Sequence, residues 1–140
     1  MQLKGEIVII IEIDTLLQTP IYEQLRDQVV LGIAAKKLVP GEALPSVRNL
    51  AADLGINFHT VNKAYSTLCE EGYIVMDRRQ GAVVARAVSG GESFMSKLSS
   101  DLLLNAAEAV CRGMDKHKFI KLCEECYQNA ENDSKQGGGS

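Results

Sequence analysis

Two runs of apolar residues with helical spacing meet at Gly55, and this arrangement constrains the fold more than any other feature of the sequence. Gly55 follows the last apolar residue of the first run, where the chain must leave helical geometry and glycine adopts a positive φ without a Cβ penalty. Ala51 is small, which allows the second helix to cross closely over the first. The apolar positions of the two runs are Leu50, Ala51, Leu54, Ile56, Val61, Ala64 and Leu68. Together they predict a helix-turn-helix.

The second of these helices has a polar face that contains no carboxylate before Glu70. The positions on that face are His59, Thr60, Asn62, Lys63, Ser66 and Thr67. Their imidazole, hydroxyl, amide and ammonium groups can contact base edges and phosphates. This composition is typical of a helix that enters the major groove of DNA, so residues 58–71 are interpreted as a recognition helix.

Cap residues and a basic turn complete the predicted module. Ser46 is expected to cap the first helix and Asn57 the second, because their side chains accept hydrogen bonds from free amides at a helix start. After Gly72, two short segments of strand-forming residues, 73–76 and 82–86, flank a polar turn. A β-hairpin directly after a recognition helix is a wing, and here the wing is assigned to residues 77–82.

The sequence before this module predicts a strand and a long helix. Residues 6–13 are a nearly continuous β-branched run, which favours a strand covered on both faces. Pro20 is expected at the first position of a helix that Thr19 caps and that extends to Lys37. The apolar residues of this helix recur every four positions, at Ile21, Leu25, Val29 and Ile33. A turn-rich connection follows at residues 38–45.

The residues after Val88 predict two further helices, joined to the winged module by a flexible Ser-Gly-Gly hinge. Apolar residues with helical spacing run from Phe94 to Val110, the first helix is expected to end at Gly113, and Asp115 is expected to cap the second. A hairpin of this length cannot bury its own apolar stripes, so it needs either the winged domain or another copy of the chain. We favour a homodimer interface, formed by Phe94, Leu98, Leu102, Phe119, Ile120, Cys123 and Tyr127.

The predicted fold is mainly α with a small β wing. A winged helix-turn-helix domain is expected at residues 1–88, and a short C-terminal helical hairpin for dimerisation is expected at residues 92–131. Residues 132–140 are expected to be a disordered tail, because their Gly-Gly-Gly-Ser end carries no structural signal.

Composition bounds the class of protein. With 140 residues, 46% of them hydrophobic and 24% charged, the chain has the size and composition of a globular domain with an appendage. The net charge of −3 is unfavourable for nucleic-acid binding, but residues 20–86 hold eight basic and seven acidic side chains, so the acidic excess lies in the flanks. The longest apolar run, residues 7–11, is too short to span a membrane. Without a recognisable leader, a cytoplasmic protein with no membrane partner is expected.

The residue types do not support catalysis or cofactor binding. The chain has two histidines, no acid pair at a useful spacing and no glycine-rich phosphate loop, so no catalytic residue, metal ligand or cofactor is assigned. The four cysteines are expected to be free thiols, because the single C-x-x-C has no second pair to complete a zinc site. The alternative function is a thiol- or metal-responsive transcriptional sensor that uses Cys111, His117, Cys123 and Cys126.

Four short motifs resemble those of the GntR family of bacterial transcription regulators. They are Pro20-Ile-Tyr-Glu-Gln-Leu, Leu44-Pro-Ser-Val-Arg-Asn-Leu-Ala, Thr60-Val-Asn-Lys-Ala-Tyr and Glu71-Gly-Tyr-Ile, within residues 20–86. The residues around the third motif and the short helical tail resemble the YtrA-type subfamily. The sequence departs from the family pattern at Phe58, where Ser or Pro is frequent, and at Arg79, which replaces the first glycine of an Arg-Gly-x-Gly wing.

The resemblance implies which residues contact DNA. The arginine of the Pro-Ser-x-Arg motif would contact DNA, the first turns of the recognition helix would read bases, and the wing tip would enter the minor groove. The candidate DNA-binding residues are Ser46, Arg48, Asn57, His59, Thr60, Asn62, Lys63, Arg78, Arg79, Gln80 and Gly81. The expected function is that of a sequence-specific transcriptional regulator that binds a palindromic operator of double-stranded DNA as a dimer. A repressor is expected, because repression is typical of the family. The operator sequence and any small-molecule effector are left open.

Overall fold

The computed structural model of the protein describes residues 11–132, which form five helices and one two-stranded antiparallel sheet. The elements are α1 (Ile21–Ala34), α2 (Val47–Leu54), α3 (Phe58–Glu70), β1 (Ile74–Asp77), β2 (Gly81–Val84), α4 (Glu92–Cys111) and α5 (Lys116–Asn132). The chain divides into two compact units, with the boundary between Val88 and Ser89. The expected mainly α fold with a small β wing is confirmed. Within the described range, no helix is long and apolar enough to cross a membrane.

The strand predicted for residues 6–13 is wrong in the part that can be assessed. Residues 6–10 lie outside the described residues, and residues 11–13 take part in no strand. The backbone that follows residue 13 is instead hydrogen-bonded by Gln24, a buried residue of α1. The Asp14 amide donates to Gln24 Oε1 at 2.9 Å, and Gln24 Nε2 donates to the Asp14 carbonyl at 2.9 Å. Within the predicted strand itself, the Glu12 amide donates to Gln28 Oε1 at 2.8 Å, and Gln28 Nε2 donates to the Glu12 carbonyl. Side chains that satisfy these backbone groups leave them unavailable to a neighbouring strand.

The predicted start of α1 is also corrected. Pro20 occupies the N-cap, with φ −54° and ψ 147°, and Ile21 is the first helical residue. The side chain of Thr19 does not cap the helix, because no side-chain cap is formed at this end. Thr19 instead contributes its carbonyl, which accepts a hydrogen bond from Gln24 Nε2 at 2.9 Å. Gln24 therefore fixes the path by which the chain enters α1.

α1 ends at Ala34 rather than at the predicted Lys37. Lys36 adopts a positive φ of 61°, and the amides of Lys37 and Leu38 both donate to the carbonyl of Gly32. This turn reverses the chain and carries Leu38 into the core, where 1% of its surface is exposed. Burial of the Leu38 side chain stabilises the fold by more than one further exposed turn of helix would, which explains why α1 ends at Ala34.

The helix-turn-helix forms as predicted. Ser46 Oγ accepts from the Asn49 amide at 3.1 Å and Asn57 Oδ1 accepts from the His59 amide at 2.7 Å, so both predicted caps are confirmed. Between the two helices Gly55 is left-handed, with φ 68°. The largest fully buried side chains of the core are Leu25, Val29, Leu38, Leu50, Val61, Leu68, Ile74 and Val84. The two predicted apolar runs thus face one core.

A buried hydroxyl ties α3 to the start of α2. Tyr65, of which 4% is exposed, donates its hydroxyl hydrogen to the Pro45 carbonyl at 2.7 Å. Burial raises the pKa of Tyr65, so the hydroxyl keeps the proton that it donates. Because Pro45 directly precedes the Ser46 cap, this bond fixes the first turn of α2 relative to α3.

Tyr65→Phe is expected to lower the free energy of unfolding by about 1–2 kcal/mol, because the Pro45 carbonyl loses its donor in a buried place. Urea denaturation followed by circular dichroism measures the change. Tyr73→Phe is the matched control, since Tyr73 is half-buried and its hydroxyl makes no hydrogen bond within residues 11–132. We expect the control to shift the free energy by no more than about 0.5 kcal/mol. Equal losses in the two variants would contradict the role given to the Tyr65 bond.

The wing is a tight hairpin whose strand limits differ slightly from the predicted ones. β1 and β2 pair antiparallel, with Ile74 opposite Val84 and Asp77 opposite Gly81, instead of the predicted segments 73–76 and 82–86. The strands therefore extend further towards the tip, and the turn is reduced to residues 78–80. The connection before α2 runs beside β2, since the Leu44 amide donates to the Ala82 carbonyl at 2.8 Å.

The second unit contains α4 and α5. α4 ends before Gly113, which has φ 78°, and Asp115 caps α5 as predicted, because its Oδ1 accepts from the Lys118 amide at 2.8 Å. No residue of either helix is buried in the single chain. α5 ends at Asn132, and the rest of the predicted tail, residues 133–140, lies outside the described residues.

Candidate nucleic-acid interface

The start of α2 presents a cap and an exposed arginine. The Ser46 hydroxyl oxygen is engaged by the Asn49 amide, so its first role is to cap the helix. Arg48 lies in the first turn and is exposed. A helix N-terminus carries partial positive charge, and the guanidinium adds a full charge, so both attract an anion. An arginine in this place can contact a phosphate or the acceptor pair of a guanine.

α3 has one buried side and one solvent-facing side. The buried side consists of Val61, Ala64, Tyr65 and Leu68. At about 3.6 residues per turn, His59, Lys63 and Ser66 lie opposite to it, and all three are exposed. Asn62 is exposed at the margin of this side, while Thr60 is half-buried at the other margin. We define His59, Asn62, Lys63 and Ser66 as the reading face of α3.

Lys63 contacts an aromatic ring that the sequence did not connect with it. Its Nζ lies 4.1 Å from the centroid of the Tyr22 ring in α1. A cation over a ring face gains about 0.5–1 kcal/mol at an exposed site, so Tyr22 limits the positions that Lys63 adopts. The Tyr22 hydroxyl donates to Glu23 at 3.2 Å, and this hydrogen bond raises the pKa of Tyr22. Tyr22 belongs to the Pro20-Ile-Tyr-Glu-Gln-Leu motif. A sequence motif alone does not show which lysine of another helix its ring contacts.

The wing tip carries two arginines on a turn that Asp77 organises. Asp77 Oδ1 accepts from the amide of Arg79 at 2.7 Å and from the amide of Gln80 at 3.0 Å. The side chains of Arg78, Arg79 and Gln80 are exposed, and Gly81 follows with φ 77°. Arg79 has no positive φ, so the turn does not require the glycine usual in the family. The role of Asp77 could have been found, because an aspartate before a polar turn is an Asx-turn signature.

Arg26 differs from the arginines of α2 and the wing because it is engaged in the fold. Its guanidinium donates to both carboxylate oxygens of Glu71, at 2.8 and 3.1 Å, and to Asp27 at 2.8 Å. The hydrogen bonds to Glu71 are the main reason why the pKa of Arg26 is raised. Within residues 11–132 the arginines of α2 and the wing tip make no ion pair. Those guanidinium groups are therefore available to an external anion.

The cysteines do not form a ligand set. Cys69 is half-buried, and burial raises the pKa of its thiol. Cys111, Cys123 and Cys126 are exposed on α4 and α5. In the part of the chain that the structure describes, no group of three or more His, Cys, Asp or Glu side chains could hold a metal ion. The sensor alternative gains no support from these positions, His117 included.

Comparison with known proteins identifies the family. The family model "Bacterial regulatory proteins, gntR family" matches residues 17–84. The HTH-type transcriptional repressor YtrA of Bacillus subtilis (strain 168) is 34% identical over 116 residues, which are 79% of this chain and 89% of that protein. The chain belongs to the GntR family. The motifs that suggested the resemblance lie within the matched region, and a YtrA protein is among the relatives, as expected.

Two solved structures are similar to this chain. YtrA from Sulfolobus acidocaldarius, a GntR-family transcription factor, is 41% identical, with a TM-score of 0.57 over 67% of this chain and 98% of that one. A transcriptional antiterminator from Listeria monocytogenes EGD-e is 26% identical, with a TM-score of 0.82 over 87% of this chain and 92% of that one. The protein is thus a transcriptional regulator with a GntR-type DNA-binding domain followed by C-terminal helices.

Proposed function

We propose that the protein is a sequence-specific transcriptional repressor that binds a palindromic operator as a homodimer. The observation that carries the proposal is the exposed, carboxylate-free reading face of α3. The exposed arginines of α2 and the wing tip, which make no ion pair within residues 11–132, support it. Repression is proposed because the relative from Bacillus subtilis is named a repressor. The site of action would be the cytoplasm. An effector is not assigned, because no residue cluster in the described part of the chain identifies one.

The exposed groups divide into two kinds of DNA contact. Side chains of the reading face and Arg48 would meet base edges in the major groove, where arginine and lysine select guanine and asparagine selects adenine. Arg78 and Arg79 would enter the minor groove, whose narrow A·T tracts concentrate negative potential. Ser46, Asn57, Thr60, Gln80 and Gly81 would contribute backbone or phosphate contacts. Asp77 supports this arrangement because it holds the wing turn in shape before DNA binds.

The second unit supplies the proposed dimer interface. Apolar side chains of α4 and α5 are exposed in the single chain, among them Phe94 at 46%, Leu98 at 38%, Leu102 at 45% and Ile120 at 43%. Phe119 is half-buried, and Cys123 and Tyr127 are exposed on the same helix. An apolar surface of this extent on a monomeric protein is unusual, and a second copy would remove it from water. We therefore assign residues 1–88 to DNA binding and residues 92–131 to dimerisation.

Selection of bound sequences from random double-stranded DNA tests the function. We expect an inverted repeat whose half-sites lie about 10 base pairs apart, because a dimer presents its recognition helices about one turn of DNA, or 34 Å, apart. Fluorescence anisotropy should then give at least about a thousandfold preference over a scrambled sequence. The logarithm of the binding constant should fall linearly with the logarithm of the salt concentration. Equal affinity for the selected and scrambled sequences would contradict the proposal.

A further inference from the structure

Phe58 is an apolar side chain among polar ones. It is the first residue of α3, it follows the Asn57 cap, and 45% of its surface is exposed. It belongs neither to the core nor to the partly buried residues packed against the core. Its ring contacts that of His59, with the centroids 5.7 Å apart in an edge-to-face arrangement. The fold of the chain therefore does not require a phenylalanine here.

The position of Phe58 decides what it can meet. The first residues of a recognition helix are those that contact base edges in the major groove. Asn62 lies one turn further along α3, and side chains four residues apart share one side of a helix. Phe58 and Asn62 thus form one margin of the reading face. The Asn57 oxygen beside them accepts from the His59 amide, so one of its two acceptor positions is already engaged by the helix cap.

Base chemistry identifies the complement of an exposed ring in that groove. Donors and acceptors line the base edges of the major groove, and the thymine C5-methyl is the apolar group among them. A phenylalanine opposite a guanine or cytosine would cover polar atoms without a hydrogen bond, which costs free energy. The geometry points to Phe58 as a specificity-determining residue that packs on a thymine methyl in each half-site. Asn62 selects adenine by its paired donor and acceptor, so we expect thymine and adenine close together. This inference rests on the proposed function.

Deoxyuridine provides a direct test, because it removes the methyl and leaves every hydrogen-bonding group of thymine in place. Each thymine of the selected operator is replaced in turn, and the affinities of the wild type and of Phe58→Ala are measured by fluorescence anisotropy. One thymine in each half-site should matter to the wild type, with a loss of about fourfold, the value of one buried methyl. The same replacement should leave the affinity of Phe58→Ala unchanged. Because the methyl is removed from the DNA, the measurement on the wild type tests the contact without any change to the protein.

Leu31→Ala is the matched control variant, since Leu31 is exposed to a similar extent, at 44%, but lies on α1. The operator affinity of Leu31→Ala should depend on the thymine methyl as strongly as that of the wild type. Tolerance of deoxyuridine at every position by the wild type would overturn the inference. If the affinity of Phe58→Ala depended on the thymine methyl as strongly as that of the wild type, the inference would also be overturned. The proposed function would still stand in that case, because the protein would still bind the operator specifically. Failure to select any operator would instead contradict the proposed function, and this inference with it.

Discussion

Leu98→Asp is expected to convert the protein from a dimer to a monomer and to weaken operator binding at least about a hundredfold. Leu98 lies between Phe94 and Leu102 on one side of α4, at the centre of the proposed interface. A carboxylate there would have to leave water without a partner when two copies associate, and that cost opposes association. Once the dimer is lost, each winged domain binds its half-site alone. Linked modules gain about 10²–10⁴ in affinity from effective concentration, which sets the size of the loss.

The matched control is Ser100→Asp, which adds the same charge to the same helix. With about 3.6 residues per turn, Ser100 lies on the far side of α4 from the stripe of Phe94, Leu98 and Leu102. Ser100 is exposed, so the control should remain a dimer and keep its affinity. Light scattering at micromolar concentration measures the oligomeric state, and fluorescence anisotropy measures binding. A monomeric wild type would contradict the dimer itself, whereas a dimeric Leu98→Asp would contradict only the place of the interface.

The helix-turn-helix could be predicted from the sequence because its signals are local. The stripes that end and begin at Gly55 lie within a few residues of each other, and so do Ser46 with Asn49 and Asn57 with His59. Each signal depends on the geometry of one turn of helix. None of them requires knowledge of how distant segments meet.

The errors around α1 arise from contacts between segments that are distant in sequence. The β-branched run before Asp14 favours a strand by its intrinsic propensity, but Gln28 occupies the Glu12 backbone groups that a strand would pair. The four-residue spacing that ends at Ile33 predicted a helix up to Lys37, but the turn at Lys36 that buries Leu38 ends the helix earlier. Propensity and periodicity describe the segment alone, and tertiary contacts override both.

The same distinction applies to the site. That Arg48 and Lys63 lie in the first turns of their helices follows from the sequence. The support of Lys63 by Tyr22 and the bond from Tyr65 to Pro45 do not, because each joins two elements. In the sequence, nothing separates Arg26 from Arg48, Arg78 and Arg79, the arginines that we propose to contact DNA. Its partner Glu71 lies 45 residues away in the chain, and only the fold brings the two together.

Arg48→Ala and Lys63→Ala are expected to weaken operator binding by about 1–3 kcal/mol each, or about 5- to 150-fold, if each side chain contacts a base. Arg48 is exposed and has no ion pair within residues 11–132, so its removal breaks no charged contact of the fold. Lys63 rests on Tyr22, and its truncation should cost the fold little, because exposed cation–π contacts are weak. Arg112→Ala is the control for charge alone, since Arg112 is an exposed arginine just after α4, in the second unit.

The salt dependence separates the two kinds of contact that these side chains can make. A base contact gives specificity, so its loss should reduce affinity for the operator while leaving the affinity for scrambled DNA almost unchanged. A phosphate contact should weaken binding to both sequences alike and reduce the salt slope by about one. Anisotropy titrations of the wild type, the two variants and Arg112→Ala on both DNAs, over a series of salt concentrations, provide all of these quantities. If both variants bind the operator as tightly as Arg112→Ala does, then α2 and α3 do not present the surface that meets DNA.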